Sequence, residues 1–331
     1  MSDYILQSIW MTARLLLSKD RPDVIVAFSL RVALTIVPSL LMLKNTKIVV
    51  YVTGLGLIGI VDDLRTRLVR RLTFALLRAA GRHRNCYFVF ENYADSVAIG
   101  VNRYDRTRQM LVSGAGVDLT EFAWQALPAD ETIKLAIVSR LVWSKGVDLA
   151  VQAVAELGAE GHSIELNVYG EPDPANPLPC DPRDCANGNY VKFRGFTEDV
   201  VGVWARHHAA IFPSRGGEGL PRALLEAAAC GRPCIITNVP GCAEFVRNGI
   251  EGFIAEAGSV ESLKNAIRAL LDNKPSLLAM GLAARKRVAE SSSREMVERQ
   301  FEELFATLVA REPSAEGGYK GGDRGMDEGR G

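Results

Sequence analysis

Short apolar runs alternate with amphipathic stretches along most of this chain. In the first half the runs are DVIVAF (23–28), KIVVYV (47–52), NCYFVF (85–90) and QMLVSG (109–114). A second series follows at IKLAIVS (133–139), SIELNVYG (163–170), NYVKFRG (189–195), AAIFPS (209–214) and RPCIITN (232–238). Runs this short and this apolar suit strands buried on both faces, and the segments between them have helical spacing. The pattern therefore predicts βαβ units that build parallel sheets covered by helices on both sides. The low-periodicity stretch EFAWQALPADET separates the two series and places a linker at 123–132, between a first domain over 1–122 and a second over 133–290. Helical patterns at 259–272, 276–290 and 294–311 close the fold, and the segment 291–311 is expected to return toward the first domain. The Pro-, Asp- and Asn-rich segment 172–188 reads as a surface loop, and the Gly-rich, charged residues 312–331 read as a disordered tail.

One helix carries unusual chemistry. In GGEGLPRALLEAAACGRP (216–233), Pro221 suits a first helical turn, where its missing N–H would be unpaired in any case, while Gly231 and Pro233 stop the helix. A helix from about Pro221 to Cys230 results. Gly216, Gly217 and Gly219 before it allow close backbone approach, so free N–H groups and the positive end of the helix dipole face one point, an anion site. Glu218 sits at that mouth, and Glu226 lies further along the flank. A nucleotide sugar matches this layout: hydroxyls of sugar and ribose for the two carboxylates, a diphosphate for the helix end. Spacing alone fits equally well with a surface glutamate and an ordinary helix-face glutamate.

The surrounding residues favour the first reading. The stretch SRGGEGLPRALLEAAACGRPCIITNVPGCAEFVRNGIEGFIAEAGSVESLKNAI resembles the C-terminal signature of retaining family 4 glycosyltransferases of the GT-B fold. The resemblance extends through AIVSRLVWSKGVDLAVQAV (136–154), VYGEP (168–172) and VKFRGFTEDV (191–200), and more weakly through SGAGVDLTEF and RPDVIVAFS. It implies an α/β, GT-B-like chain of two Rossmann-like parallel-sheet domains. The N-terminal one is expected to be incomplete, because the family's first two βα units have no counterpart here. It also implies that Glu218, Arg140 and Lys145 act on the donor sugar and diphosphate, and that Glu226 meets the ribose. Gly170, Arg194, Phe196, Gly217, Gly219 and Leu220 would complete the donor site, with Gly54 and Gly56 in an acceptor-side loop. Thr53 stands where many members have a histidine. A UDP-sugar donor and a glycan or polyprenyl-linked acceptor in bacterial surface polysaccharide assembly are what the resemblance implies, with a GDP-sugar as the other donor and with no metal or other cofactor. Transfer on the donor's front face, with the departing phosphate helping to deprotonate the acceptor, is the implied mechanism.

Composition narrows the alternatives. The 331 residues are 48% apolar and 24% charged with no net charge, which gives no overall attraction for nucleic acid. Six cysteines lack CxxC pairs, and four histidines (His83, His162, His207, His208) lack ligand spacing, so neither a metal site nor a disulfide framework is indicated and the histidines are expected at the surface. A cytoplasmic protein without a membrane-spanning segment is expected, at most peripheral at the inner face of the cytoplasmic membrane. The charge is nevertheless uneven: residues 1–120 hold 16 basic and 9 acidic side chains. Much of that surplus lies in 62–84, where Leu64, Leu68, Leu72 and Leu76 repeat every four residues beside arginines. Such a stripe either packs on the first sheet or faces an anionic membrane surface. Gly54, Gly56 and Gly59 also trace G-x-G-x-x-G after a strand, the outline of a dinucleotide-binding oxidoreductase. The acid expected about 20 residues on is absent, however, and Glu91 comes too late. A third alternative is a homologue that binds donor but is catalytically impaired.

Overall fold

The computed structural model describes residues 22–38, 45–104, 106–185 and 189–309, together with Trp10, Ala13, Arg14 and Leu17. The expected tail at 312–331 lies outside the described residues. The apolar runs form two separate parallel sheets. The first has the order β1 (Val24–Phe28), β2 (Lys47–Val52), β3 (Cys86–Phe90) and β4 (Gln109–Leu111). The second has the order β10-β9-β8-β5-β6-β7, from β5 (Ile133–Val138), β6 (Ile164–Tyr169), β7 (Val191–Gly195), β8 (Ala209–Phe212), β9 (Cys234–Thr237) and β10 (Gly252–Ala255). All strand pairs are parallel, for example Ile48 beside Cys86 and Leu135 beside Ala209. Strand β10 is not among the apolar runs, because EGFIAEA is short and bounded by charge.

Side-chain alternation places both faces of each sheet in a core. Ile48, Val50 and Val52 enter one cluster with Leu77 and Ile99, while Val49 and Tyr51 enter another with Leu308. In the second sheet Leu135 and Ile137 pack with Val151 and Ile267, and Ala136 packs on the opposite face with Leu224 and Trp204. The helices supplying these contacts are α1 (Leu30–Ile36), α2 (Leu64–Gly81), α3 (Tyr93–Ile99), α4 (Val147–Ala159), α5 (Val200–Ala205), α6 (Arg222–Ala229), α7 (Val260–Asp272), α8 (Leu277–Ser291) and α9 (Arg294–Val309). In the second sheet β5 starts a series that runs outward to β7, and β8 starts one that runs the other way to β10. The gap past the carboxyl ends of β5 and β8 is thus a topological switch point, where open α/β sheets bind their ligands.

Two sequence expectations change here. Helix α2 packs by only the last leucine of its stripe: Leu76 is partly buried against the core, whereas Leu64, Leu68 and Leu72 are 82%, 59% and 64% exposed, and the buried residues of the helix are Thr73, Leu77, Ala80 and Gly81. Only the C-terminal half of the helix reaches the core, so the leucines of its N-terminal half face outward. His207 and His208 are buried, not at the surface. The His207 ring meets Tyr169 edge-on and its Nδ1 lies 2.6 Å from the Val203 carbonyl, while His208 Nδ1 accepts from Lys134 N at 3.1 Å.

The chain crosses between the domains twice at adjacent points. Val117 N donates to Ser292 O at 3.0 Å and Arg294 N donates to Val117 O at 2.9 Å. After the second crossing α9 lies on the first sheet, with Phe301, Leu304 and Phe305 against Val49 and Val89. Residues 123–132 run along the second domain, where Arg232 holds them. Its fully buried guanidinium donates to the carbonyls of Gln125, Ala126, His207 and Cys230. Burial lowers its pKa to about 10, so the cation is kept by these carbonyls rather than by a carboxylate. Arg232→Met leaves several buried carbonyls unpaired and is expected to lower unfolding free energy by about 3 kcal/mol in urea titrations. An unchanged midpoint would contradict this role.

Candidate functional site

The loop after β8 is fixed first by its own domain. Thr237 Oγ1 donates to Ser214 O at 2.6 Å, and Ser214 Oγ donates to Glu218 Oε1 at 2.7 Å. Lys145, at the end of a 3-10 turn over Trp143–Lys145, donates from Nζ to Glu218 Oε2 at 2.5 Å. Both carboxylate oxygens of Glu218 are therefore engaged. Arg215 ties the same loop to the start of α4 through paired bonds of 2.8 and 2.7 Å to Asp148, with its guanidinium over the Trp143 ring. This loop faces a cavity of about 340 Å³ lined by Arg140, Lys145, Glu218, Gly219, Thr53 and Glu91. A smaller cavity of about 220 Å³ adjoins it at Ser139, Arg140 and Arg222.

Not every predicted residue lines these spaces. Arg140 lines both cavities, but in this structure it pairs with Asp173 from the long loop after β6, at 2.9 Å. Glu226 is buried and accepts from Arg222 Nε at 2.8 Å, and burial pushes its pKa up. Arg194 Nε donates to Asn167 Oδ1 at 2.8 Å, Gly170 N donates to Gly195 O at 2.8 Å, and Phe196 is exposed. Glu226, Gly170, Arg194 and Phe196 line neither cavity.

The helix mouth also differs from expectation. Pro221 is the cap, with extended backbone, and the helix proper is α6 from Arg222 to Ala229. Two of the loop N–H groups expected to be free, and one loop carbonyl, are taken by the first domain. Gly219 N donates to Thr53 O at 3.0 Å, Gly56 N donates to Gly217 O at 2.7 Å, and Leu220 N donates to Glu91 Oε2 at 2.9 Å. Gly54 makes this approach possible: it has φ 116°, and a Cβ there would lie 2.6 Å from Gly219 N and 2.7 Å from Glu218 C. Gly54 thus meets protein backbone and Gly56 donates to it, which accounts for these two glycines without a dinucleotide; Gly59 faces only the Leu55 side chain.

Glu91 enters the sequence reading only as an acid at the wrong spacing. Its place directly after a strand was the available signal. Here it spans the cleft: besides Leu220 N it accepts from Tyr51 Oη at 3.0 Å, and burial raises its pKa. A second bridge has no sequence signal. The Glu244 carboxylate accepts from Tyr93 N and Ala94 N at 3.0 and 3.2 Å, at the start of α3. Asn92 caps that helix, accepting from Asp95 N at 2.8 Å, and donates to Asp95 Oδ2 at 2.9 Å. Burial pushes the Asp95 pKa up to about 6, with Glu244 and Glu91 adding to the effect. Among the described residues no cluster of three or more His, Cys, Asp or Glu is placed to hold a metal. No helix among them is long and apolar enough to cross a membrane.

Comparison with known proteins adds the following. A family model described as glycosyl transferases group 1 matches residues 119–287. Over 180 residues the chain is 33% identical to an exopolysaccharide phosphotransferase of Streptomyces coelicolor, covering 52% of this chain and 18% of that protein. Over 235 residues it is 23% identical to the N,N'-diacetylbacillosaminyl-diphospho-undecaprenol alpha-1,3-N-acetylgalactosaminyltransferase of Campylobacter jejuni, covering 67% of this chain and 61% of that one. The chain thus spans less than two thirds of the length of either relative. Anabaena HepE, solved in complex with UDP and glucose, superposes with a TM-score of 0.73 at 17% identity, over 90% of this chain and 81% of that chain. That likeness concerns the fold: two parallel-sheet domains of GT-B type.

The raised pKa of Asp95 sets a pH dependence. Between its ordinary value of 3.8 and about 6 the folded state binds the extra proton, so this contribution to stability is present below pH 4 and lost as pH rises through 6. Asp95→Asn removes it. The stability of that variant relative to the unaltered protein is expected to rise by about 2 kcal/mol from pH 4 to pH 7 in urea titrations, and a constant difference would contradict the assignment.

Proposed function

Because the chain belongs to the glycosyl transferases group 1 family, we propose that it moves a sugar from a nucleotide-sugar donor, a UDP-sugar by preference, to a glycan or polyprenyl-linked acceptor. The setting is bacterial surface polysaccharide assembly, and the configuration of the donor carbon is retained. The observation that carries this reading is Glu218, held by Lys145 and Ser214 at the mouth of an interdomain cavity that Arg140 also lines. Two cations beside one fixed carboxylate suit a diphosphate attached to a hydroxylated ring. The undecaprenol-linked substrate in the Campylobacter relative's name and the UDP in the HepE complex support the same acceptor and donor classes.

Each side chain then has a task. Lys145 and Arg140 offset charge on the diphosphate as its bond to the sugar breaks, Arg140 leaving Asp173 to do so. Glu218 accepts hydrogen bonds from sugar hydroxyls, and Glu226, once Arg222 swings aside, accepts from the ribose. The bond from the sugar carbon to phosphate oxygen breaks, the bond to the acceptor oxygen forms on the same face, and the acceptor proton passes to the departing phosphate. No metal or other cofactor has a part in this reading. Glu218→Gln and Lys145→Ala are each expected to lower transfer from a UDP-sugar about 100-fold, the scale of a lost charge-assisted contact, while far-UV circular dichroism is unchanged. Full activity in either variant would remove the site assignment.

A polyprenyl-linked acceptor lies in a membrane, and helix α2 supplies a face for one. Leu64, Leu68, Val69 and Leu72 are exposed, as are Arg65 and Arg71, while Arg67 and Arg70 pair with Asp62 and Arg78 donates to Ile99 O. Apolar side chains flanked by cations match a leaflet of anionic headgroups, and each arginine contributes about 1 kcal/mol there at low salt. The purified protein is expected to co-sediment with phosphatidylglycerol vesicles and to be released by salt. Arg65→Gln with Arg71→Gln should weaken that binding more than 10-fold, whereas equal binding to phosphatidylcholine would exclude this face.

A further inference from the structure

Two of the three first-domain hydrogen bonds to the Glu218 loop are made by backbone, at Thr53 and Gly56, and need only the close approach that Gly54 and Gly217 allow. The third depends on a side chain. Glu91 Oε2 accepts from Leu220 N at 2.9 Å, two residues beyond Glu218, and the carboxylate lies so close to Gly219 that any Cβ there would overlap it. Its other oxygen accepts from Tyr51 Oη at 3.0 Å. The Tyr51 ring is packed between Phe28 and Phe301, with centroids 5.2 and 5.7 Å away, so its hydroxyl is anchored by β1 and by α9. Glu91 also lines both interdomain cavities, the one of about 340 Å³ that Glu218 faces and one of about 330 Å³ toward Glu244.

We propose that Glu91 is a positioning residue: held from Tyr51, its carboxylate fixes the Leu220 amide and thereby sets the loop that presents Glu218 to the donor sugar. The proposal rests on the transferase reading above for its consequence in catalysis, and on the hydrogen-bond geometry alone for its effect on the loop. The loop is clamped from two sides. Ser214 and Lys145 hold the carboxylate of Glu218 from the second domain, and Glu91 holds the following amide from the first. A loop clamped on one side only can let Glu218 rotate away from the sugar without loosening the nucleotide, since the phosphate-facing Arg140 and Lys145 stand on different segments. A misplacement of about 1 Å in a group that meets the reacting sugar affects turnover more than binding.

The test compares Glu91→Ala, Glu91→Gln and Tyr51→Phe. In the glutamine variant the amide oxygen still accepts from Leu220 N, and its NH2 group can donate to the Tyr51 oxygen, so positioning is kept while the charge is removed. Amide hydrogen exchange of the peptide spanning 216–221 in the free protein is expected to speed up about 10-fold in Glu91→Ala, less in Tyr51→Phe and not at all in Glu91→Gln. With a UDP-sugar, kcat should fall 10- to 100-fold in Glu91→Ala and return to within about threefold of the original in Glu91→Gln, with the Kd for UDP unchanged in both. Unchanged exchange in Glu91→Ala, or a glutamine variant as impaired as the alanine one, overturns the proposal. Failure of the unaltered protein to bind UDP counts against the transferase reading instead, and the exchange measurement still decides whether Glu91 orders the loop.

Discussion

The backbone contact between residues 53–56 and 217–219 is what makes one cleft out of two separate sheets. No side chain stands between the two strands of chain there: Gly54 comes within van der Waals reach of Glu218 and Gly219, and carbonyls and amides pair directly across the domain boundary. The approach needs Cβ atoms to be missing at Gly54 and Gly217, where one would overlap the opposing backbone. Everything else at the site is referred to this contact. It sets how far the first domain stands from the cations Arg140 and Lys145, and it brings Glu91 within reach of the Leu220 amide.

Around that contact the charges are arranged so that no carboxylate at the site lacks a donor. Glu218 has Ser214 and Lys145, Glu226 has Arg222, Glu91 has Tyr51 and the Leu220 amide, and Glu244 has two amides at the start of α3. Removing an ionised carboxylate from water is costly unless such donors replace the lost hydration. Where replacement is least complete the protonated form gains, and burial accordingly raises the pKa of Asp95, Glu91 and Glu226. Arg140 is the contrast: it is largely exposed, its present partner Asp173 lies on a loop, and exposed pairs of this kind contribute little to stability. A cation so loosely engaged can change partners readily.

Much of the fold was legible because buried parallel strands leave a continuous apolar run, as in KIVVYV and IKLAIVS, which form β2 and β5 almost to the residue. β10 was not, since FIA is too short to rise above its charged flanks. Glu218, Lys145 and Arg140 could be grouped in advance through the family resemblance, and their places after the carboxyl ends of β8 and β5, next to the switch point, agree with it. Glu226 was legible by spacing but not by environment: a position on a helix does not say that Arg222 will lie over it. Glu91 and Glu244 belong to contacts between domains, and such contacts have no periodicity in either partner. The outward-facing leucines of α2 show the same limit. A four-residue repeat says that they share a face, and only the packing of Leu77 and Ala80 says which way that face turns.

The paired crossings at Val117 and Ser293 have a mechanical meaning for the cleft. A single connecting strand would let one domain swivel and twist freely about its bonds, but two connections lying side by side and bonded to one another resist torsion. They leave bending about the line that joins them as the soft mode. Elsewhere the domains are joined by the hydrogen bonds at Thr53, Gly56, Glu91 and Glu244, each worth about 1 kcal/mol net. The paired crossings thus act as a stiff spine: they favour bending about one line over twisting, and a bend about that line keeps the same residues opposite one another across the cleft.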